Sequence, residues 1–260
     1  AKYLFHDLNK PIKENLIKNL VGSEYIINCS GYIDHSSFKD NGKKVFYDHF
    51  NSLISLTNLA IDLKVKTFVQ IGSSDEYGKN KSPIKESVRE SPISPYALSK
   101  LSSTYFLQQC FKEETLNTVV VRPFLIFGEM QSKSRFLPYL IENCIKDKAF
   151  NVTKGDQIRD YLYIKDFNQG LIKTLNNKNA YGEIINIASG VPISIKEVIS
   201  TVNKIIGKGL PNLGGIDYRE SESMELYADI EKAKQILDWK PKYNFKESLE
   251  RVIKWYYENA

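Results

Sequence analysis

Short apolar runs alternate with longer amphipathic stretches through the first half of the chain. "YLFHDL" (3–8) precedes "PIKENLIKNL", and "EYIINCSG" precedes "YDHFNSLISLTNLAIDLK". "KTFVQIGSS" leads into "SPYALSKLSSTYFLQQCFKEE", which leads into "NTVVVRPFLIFG". Strand, helix, strand, helix, strand is the rhythm of a parallel sheet with helices on both faces. The runs "YIIN", "TFVQI" and "TVVVR" are nearly continuous and β-branched, as strands covered on both sides require. The expected fold class is α/β, a doubly wound, Rossmann-like parallel sheet.

Beyond about residue 130 the pattern loosens. "FLPYLIENCIKD" reads as a helix, "IRDYLYIKDFNQGLIKTL" as a strand entering a helix, and "GEIINIASG" as a further strand. Ser194 stands three residues before Glu197, the spacing of a capping box, so "SIKEVISTVNKIIG" should begin a helix. "DIEKAKQILDW" and "KESLERVIKWYYEN" complete the helical set. No repeat or long linker interrupts the chain. The expected division is a doubly wound core over 1–128 and a smaller α/β region over 129–260, with some segments returning to the core.

In open α/β sheets the binding crevice lies at the carboxyl ends of the strands. Those ends here are His6-Asp7, Asn28–Gly31, Gly72–Asp75 and Pro123–Gly128. Any one of them could be a plain turn, but four small, polar ends along one edge suit a site.

Composition narrows the function. A 260-residue chain with 42% hydrophobic and 26% charged residues can bury a substantial core. Its net charge of +5 is mild and its basic residues are dispersed among acids, which argues against nucleic acid as a partner. No apolar run approaches ~18 residues, so no membrane span is expected. Cys29, Cys110 and Cys144 are odd in number and lack metal or redox spacing, which points to the cytoplasm and to no metal.

Tyrosine and lysine stand four apart at three places: Tyr77 and Lys81, Tyr96 and Lys100, Tyr161 and Lys165. Tyr77 precedes Gly78 and Asn80, so it should sit in a loop, and Tyr161 lies in the strand-like "YLYI". Only Tyr96 follows a helix start, with Ser94 as cap and Pro95 in the first turn. On that helix Tyr96 and Lys100 share a face, and Ser73 at a strand end could approach the phenol. A free phenol has a pKa of about 10 and is a poor base. A nearby ammonium, with a positive nicotinamide ring, would favour the phenolate; a drop of ~3 in pKa corresponds to roughly 4 kcal/mol. Such a tyrosine can take a proton from a sugar hydroxyl as hydride leaves the same carbon.

These segments resemble the extended short-chain dehydrogenase/reductase family, in particular its nucleotide-sugar epimerases, dehydratases and 4-ketoreductases. "FVQIGSSDEYG", "SPYALSK", "VVRPFLIFGEMQ", "GDQIRDYLYIKDF", "EIINIASGVPISIKEV" and the closing "YADIEKAKQILDWKPKYNFKESLERVIKWY" occur in the family's order. The resemblance implies NAD or NADP as cofactor and a nucleotide-diphosphate sugar as substrate, with dinucleotide binding in 1–128 and mainly substrate binding in 129–260. It implies a catalytic group of Ser73, Tyr96 and Lys100, with Lys100 also holding the nicotinamide ribose. It places Asp7 and Leu8 at adenine, Cys29, Ser30 and Gly31 near the pyrophosphate and ribose, and Phe124 beside the nicotinamide. Arg159 and Arg219 match arginines that grip the substrate diphosphate, Glu222 matches an acid that binds a nucleotide ribose, and Ser74 and Asp75 lie in the substrate loop. Relatives pair through two helices, here about 45–63 and 94–113, so a homodimer is expected, with Leu98, Leu101, Tyr105, Phe106 and Leu107 as surplus apolar surface on the second.

The chain departs from the family in three ways. The family's first strand and Gly-x-x-Gly-x-x-Gly turn, about fifty residues before the equivalent of Asp7, have no counterpart among these residues. The chain therefore resembles an amino-terminally truncated or incompletely represented member. It is expected to bind dinucleotide weakly, if at all, and to leave an apolar sheet edge open. Leu125 stands where many relatives have a substrate-contacting Asn. The loop reads Ser74-Asp75-Glu76 where many 4,6-dehydratases have Thr-Asp-Glu, the Asp falling at Ser74. The leading expectation is C4 oxidoreduction of a nucleotide sugar, as a 4-ketoreductase or epimerase making a cell-surface deoxysugar such as that of an O-antigen. A 4,6-dehydratase with Asp75 as acid is the alternative, and an inactive dinucleotide-binding sensor the second, disfavoured because Tyr96 and Lys100 are both kept.

Overall fold

A computed structural model describes residues 2–219 and 222–259. In chain order the elements are α1 (Glu14–Lys18), β1 (Tyr25–Asn28), α2 (Gly42–Asp62), β2 (Thr67–Ile71), α3 (Pro95–Lys112), β3 (Thr118–Pro123), β4 (Leu125–Phe127) and α4 (Phe136–Ile145). They continue with β5 (Ala149–Val152), β6 (Ile158–Tyr163), α5 (Ile164–Thr174), β7 (Ile184–Ile187), β8 (Pro192–Ser194) and α6 (Ile195–Ile206). β9 (Leu210–Leu213), β10 (Glu225–Leu226), α7 (Glu231–Leu237) and α8 (Phe245–Glu258) close the chain.

The main sheet is parallel in the order β1-β2-β3-β7. Its side chains alternate between two covers. Phe68 and Val120 face Leu53 and Ala60 of α2 and Leu107 of α3. Val69, Val119 and Val121 face Phe167 and Leu171 of α5 and Ala233 and Leu237 of α7. That two-sided burial is why the strands read as continuous apolar runs, and it makes the sheet doubly wound.

β4, β6 and β10 form a smaller parallel sheet, to which β8 adds antiparallel, and β5 pairs with β9. α4, α6 and α8 pack here around Leu140, Ile141, Val198, Val202 and Leu249. The expected capping box is present: Glu197 N donates to Ser194 Oγ at 3.1 Å and Ser194 N to the Glu197 carboxylate at 2.9 Å. α5, β7 and α7 belong to the main sheet, so the second half of the chain serves both sheets.

Two elements differ from expectation. Residues 3–8 form no strand; Tyr3 and Phe5 are 82% and 97% exposed, because a strand needs both a ladder partner and a surface to cover. Of "PIKENLIKNL" only Glu14–Lys18 is helical, too short to hold an amphipathic face by itself.

Candidate active site

The helix that carries the tyrosine–lysine pair starts as its sequence dictates. Ala97 N donates to Ser94 Oγ at 3.1 Å, Pro95 occupies the first turn, and α3 runs unbroken to Lys112. Tyr96 and Lys100 lie one turn apart on its inner face, each 6% exposed. Lys100 Nζ donates to the Ile71 carbonyl at the end of β2 at 3.1 Å and stands 5.9 Å from the Tyr96 ring centroid. Ser73, just beyond β2, caps a single 3₁₀ turn over Ser74–Tyr77; its Oγ accepts from Asp75 N at 3.1 Å.

These groups meet in a cavity of about 370 Å³ at the carboxyl ends of β1, β2 and β3. Ser73, Ser74, Asp75, Tyr96, Lys100, Phe124 and Leu125 line it, with Cys29, Ser30 and Gly31 on the β1 side. Gly31 has φ +122°, and a Cβ there would stand 2.8 Å from the His49 ring, so only glycine lets the chain pass so close.

Ser74 and Asp75 also line an adjoining cavity of about 440 Å³ together with Arg159, Arg219 and Glu222. Arg159 pairs directly with Glu222. The same three residues border a third hollow of about 380 Å³ whose walls include Phe136, Tyr139 and Ile216. The expected catalytic and substrate residues are therefore contiguous. Asp7 and Leu8 line none of these cavities. They form a turn, tied by Lys10 N to Asp7 O at 2.9 Å and held against α2 by Asn9 Nδ2 to Asp48 at 3.2 Å.

The other two tyrosine–lysine pairs serve packing. Tyr77 is wholly buried in the 3₁₀ turn, where a loop was expected, and its hydroxyl donates to Asn186 Oδ1 at 2.7 Å. Tyr161 lies in β6 within the core of the smaller sheet, as its alternation indicates.

Sequence reading missed the groups that surround the phenol. The Tyr96 ring is met edge-on by both His35 and His49, each centroid 5.4 Å away. His49 continues the buried stripe of α2 that includes Val45 and Leu53, a spacing that could have flagged it. His35 Nε2 stands 3.8 Å from the Asp75 carboxylate. Arg135 also lines the cavity, and Arg122 and Glu76 form a fully buried ion pair beneath it. His35 and Arg135 lie in irregular segments, where no periodicity marks them.

The electrostatics correct one expectation. Burial, reinforced by the Asp75 carboxylate, pushes the Tyr96 phenol up to about 12, while the nearby Ser73 hydroxyl acts in the opposite direction. Burial likewise pulls the Lys100 ammonium down, against the opposing pull of Glu76. The protein's own charges thus do not lower the phenol; desolvation and Asp75 outweigh the opposing pull of Ser73 and Arg135. Burial, helped by Lys100, lowers the His49 imidazole to about 4, and the neutral ring accepts a hydrogen bond from Tyr32 N at 3.3 Å. Burial raises the Asp75 carboxyl against the pull of His35 and Arg135.

The sequence pattern of the NAD dependent epimerase/dehydratase family matches residues 4–188. The chain is 31% identical over 213 residues to a UDP-glucuronate 4-epimerase of Thermodesulfobacterium geofontis, covering 79% of this chain and 64% of that one. It is 27% identical over 183 residues to dTDP-glucose 4,6-dehydratase 1 of Escherichia coli, covering 67% of this chain and 50% of that one. It thus spans between half and two thirds of the length of these relatives. Its fold is similar to UDP-glucuronic acid 4-epimerase from Bacillus cereus, solved with UDP-glucuronic acid and NAD, at a TM-score of 0.86 and 26% identity over 95% of this chain and 79% of that one. No described helix is long and apolar enough to cross a membrane. A match over most of the chain, on a doubly wound sheet with Ser73, Tyr96 and Lys100 at one strand edge, is decisive: the chain belongs to the NAD-dependent epimerase/dehydratase family.

Proposed function

We propose that this protein performs NAD-dependent oxidoreduction at C4 of a nucleotide-activated sugar, as a 4-epimerase or 4-ketoreductase. The observation that carries the reading is the convergence of Ser73, Tyr96 and Lys100 in one cavity that opens onto Arg159 and Arg219. A sugar lying across that opening has its C4 hydroxyl toward Tyr96 and its diphosphate toward the two guanidinium groups, which suit phosphate oxygens. Glu222 and the aromatic-walled hollow beyond it would receive the nucleoside.

The residues present fit the nicotinamide end of a dinucleotide. Ser30 and the close-packed Gly31 would lie along its phosphate and ribose, Lys100 at the nicotinamide ribose and Phe124 at the ring; Asp7 and Leu8 are assigned to adenine. When bound, the oxidised nicotinamide would supply the hydride acceptor for C4 and the positive charge that favours a phenolate at Tyr96. Tyr96 holds or takes the C4 hydroxyl proton, Ser73 shares a hydrogen bond with that hydroxyl, and Lys100 fixes the ribose. The cofactor we assign is NAD, as bound in the B. cereus structure.

Asp75 favours a second reading. A carboxyl held up by burial beside Tyr96 could protonate a departing C6 hydroxyl, as a 4,6-dehydratase requires. Incubation of the protein and NAD with UDP- and dTDP-hexoses separates the two: a C4 epimer supports the first reading and a 4-keto-6-deoxy sugar the second. A C4 product from a 4-keto sugar that appears only with reduced cofactor would assign the reductase.

We further assign residues 1–128 to cofactor and most of 129–260 to substrate, and place the protein in the cytoplasm as a homodimer. Of the residues expected at that dimer face, Leu101 and Leu107 are instead buried. Leu98 and Tyr105, with Tyr47 and Ile61 of α2, are 37–59% exposed and would form the contact.

A further inference from the structure

A fully buried ionic cluster lies directly beneath the candidate site, and the chemistry above does not use it. The Glu76 side chain is 0% exposed, as is Arg122. One Glu76 oxygen accepts the backbone N–H of Ser73 at 2.8 Å. The other accepts Thr104 Oγ1 of α3 at 2.7 Å, and Arg122 Nε and Nη2 of β3 at 2.9 and 2.6 Å. A single carboxylate thereby ties together the turn that carries Ser73, the helix that carries Tyr96 and Lys100, and the strand that leads to Phe124. The approach is tight enough that a Cβ on Gly72 would stand 2.5 Å from Glu76 Oε1.

Arg122 Nη2 also binds Glu90 at 2.9 Å, so two carboxylates share one guanidinium. Facing Lys100 are Glu76 beyond β2, Cys29 beyond β1, His49 on α2 and Tyr96 on its own helix. Burial keeps the Cys29 thiol and the His49 imidazole neutral near pH 7, and Tyr96 is a phenol there. Glu76 is then the anion that opposes Lys100's loss of charge on burial.

We propose that Glu76 is a positioning residue for the reaction, fixing Ser73 against the Tyr96–Lys100 helix and supplying the negative charge that faces Lys100. The inference rests on the reading of Ser73, Tyr96 and Lys100 as the reacting group. Arg122 is the partner that lets a carboxylate be buried there at all, since a lone buried charge is strongly disfavoured.

The test compares Glu76→Gln, Glu76→Asp and the double variant Glu76→Gln/Arg122→Met in the full chain. The double variant removes both charges of the buried pair, so Arg122 is not stranded as in Glu76→Gln alone; Glu90, at the cluster's edge, keeps its carboxylate, and urea unfolding checks that the fold is retained. The Lys100 ammonium is titrated by ¹⁵N NMR, its resonance assigned by loss in Lys100→Met, and kcat and KM are measured across pH. In the double variant Lys100 should release its proton at a pH lower by ~1 or more, a tenfold change in its equilibrium. The alkaline limb of kcat should move with it. Glu76→Asp keeps the charge but shortens the reach, so it should leave the Lys100 titration in place and lower kcat by about 10²-fold, with KM within about twofold. An unchanged Lys100 titration in the folded double variant overturns the electrostatic half of the proposal, and a wild-type kcat in Glu76→Asp overturns the positioning half. Because the NMR titration needs no substrate, failure of the assigned activity would show separately, as a wild-type protein without turnover.

Discussion

Lys100 stands 5.9 Å from the centre of the Tyr96 ring with its ammonium turned to the Ile71 carbonyl, 3.1 Å away. It is near enough to act on the phenol through space, yet it does not hydrogen-bond the hydroxyl. Burial holds the Tyr96 phenol up at about 12, and further positive charge entering the cavity would favour the phenolate. On the proposed reading, proton transfer at Tyr96 would thereby be coupled to an oxidised cofactor, which suits an enzyme that must not deprotonate substrate before hydride has somewhere to go.

Tyr96→Phe should lower kcat by about 10²–10⁴-fold, the usual contribution of a general acid–base group, with little change in melting temperature. Tyr77→Phe should do the reverse. It strips a buried donor from Asn186 and should cost about 1–3 kcal/mol in urea unfolding, with activity kept. A greater loss of kcat in Tyr77→Phe than in Tyr96→Phe would reassign the chemistry.

Arg219→Met should raise KM for the nucleotide sugar by about tenfold or more with kcat nearly unchanged, because it removes a charge-assisted contact made equally in ground and transition states. Steady-state kinetics at saturating NAD reads this directly. Loss of kcat with KM unchanged would place Arg219 away from the diphosphate.

Asp75→Asn separates the two chemistries at one residue. Under the C4 reading the variant should keep epimerisation or reduction within about tenfold, since no step needs a proton from Asp75. Abolished turnover, with a 4-keto-6-deoxy product from the wild type, would instead make Asp75 the acid of a dehydratase.

His49 predicts a pH-dependent stability. Its folded pKa, about 4, lies below the unfolded value of 6.5, so the unfolded chain binds more protons between those limits and stability falls as pH drops through that window. The slope from this residue approaches about 1.4 kcal/mol per pH unit in mid-window. His49→Asn should flatten the decline between pH 6.5 and pH 4 relative to the wild type, with the carboxylates' share cancelling in the comparison. Parallel curves for the two proteins would refute the assignment.

Local signals made the strands and the tyrosine helix legible in the sequence. "TFVQI" and "TVVVR" announce two-sided burial, and Ser94-Pro95 announces where α3 begins. The adjacency of Ser73 to that helix followed from strand order. Glu76 and Arg122 were not legible, because they stand 46 residues apart and meet only once β2 and β3 are paired. Residues 3–8 misled for the opposite reason: a strand-like composition acquires meaning only with a partner to extend. The raised phenol was missed because spacing shows which charges are near but not how little water surrounds them.

The central claim is that hydride leaves C4 of the sugar while Tyr96 handles the proton. The most direct measurement is a single turnover with a nucleotide sugar deuterated at C4, followed by the absorbance of reduced nicotinamide and by the position of label in the product. The account predicts a primary isotope effect on the appearance of reduced cofactor, abolished signal in Tyr96→Phe, and, for an epimerase, deuterium retained at C4 of the inverted sugar. Turnover with no isotope effect and no reduced cofactor, or turnover undiminished in Tyr96→Phe, would contradict it.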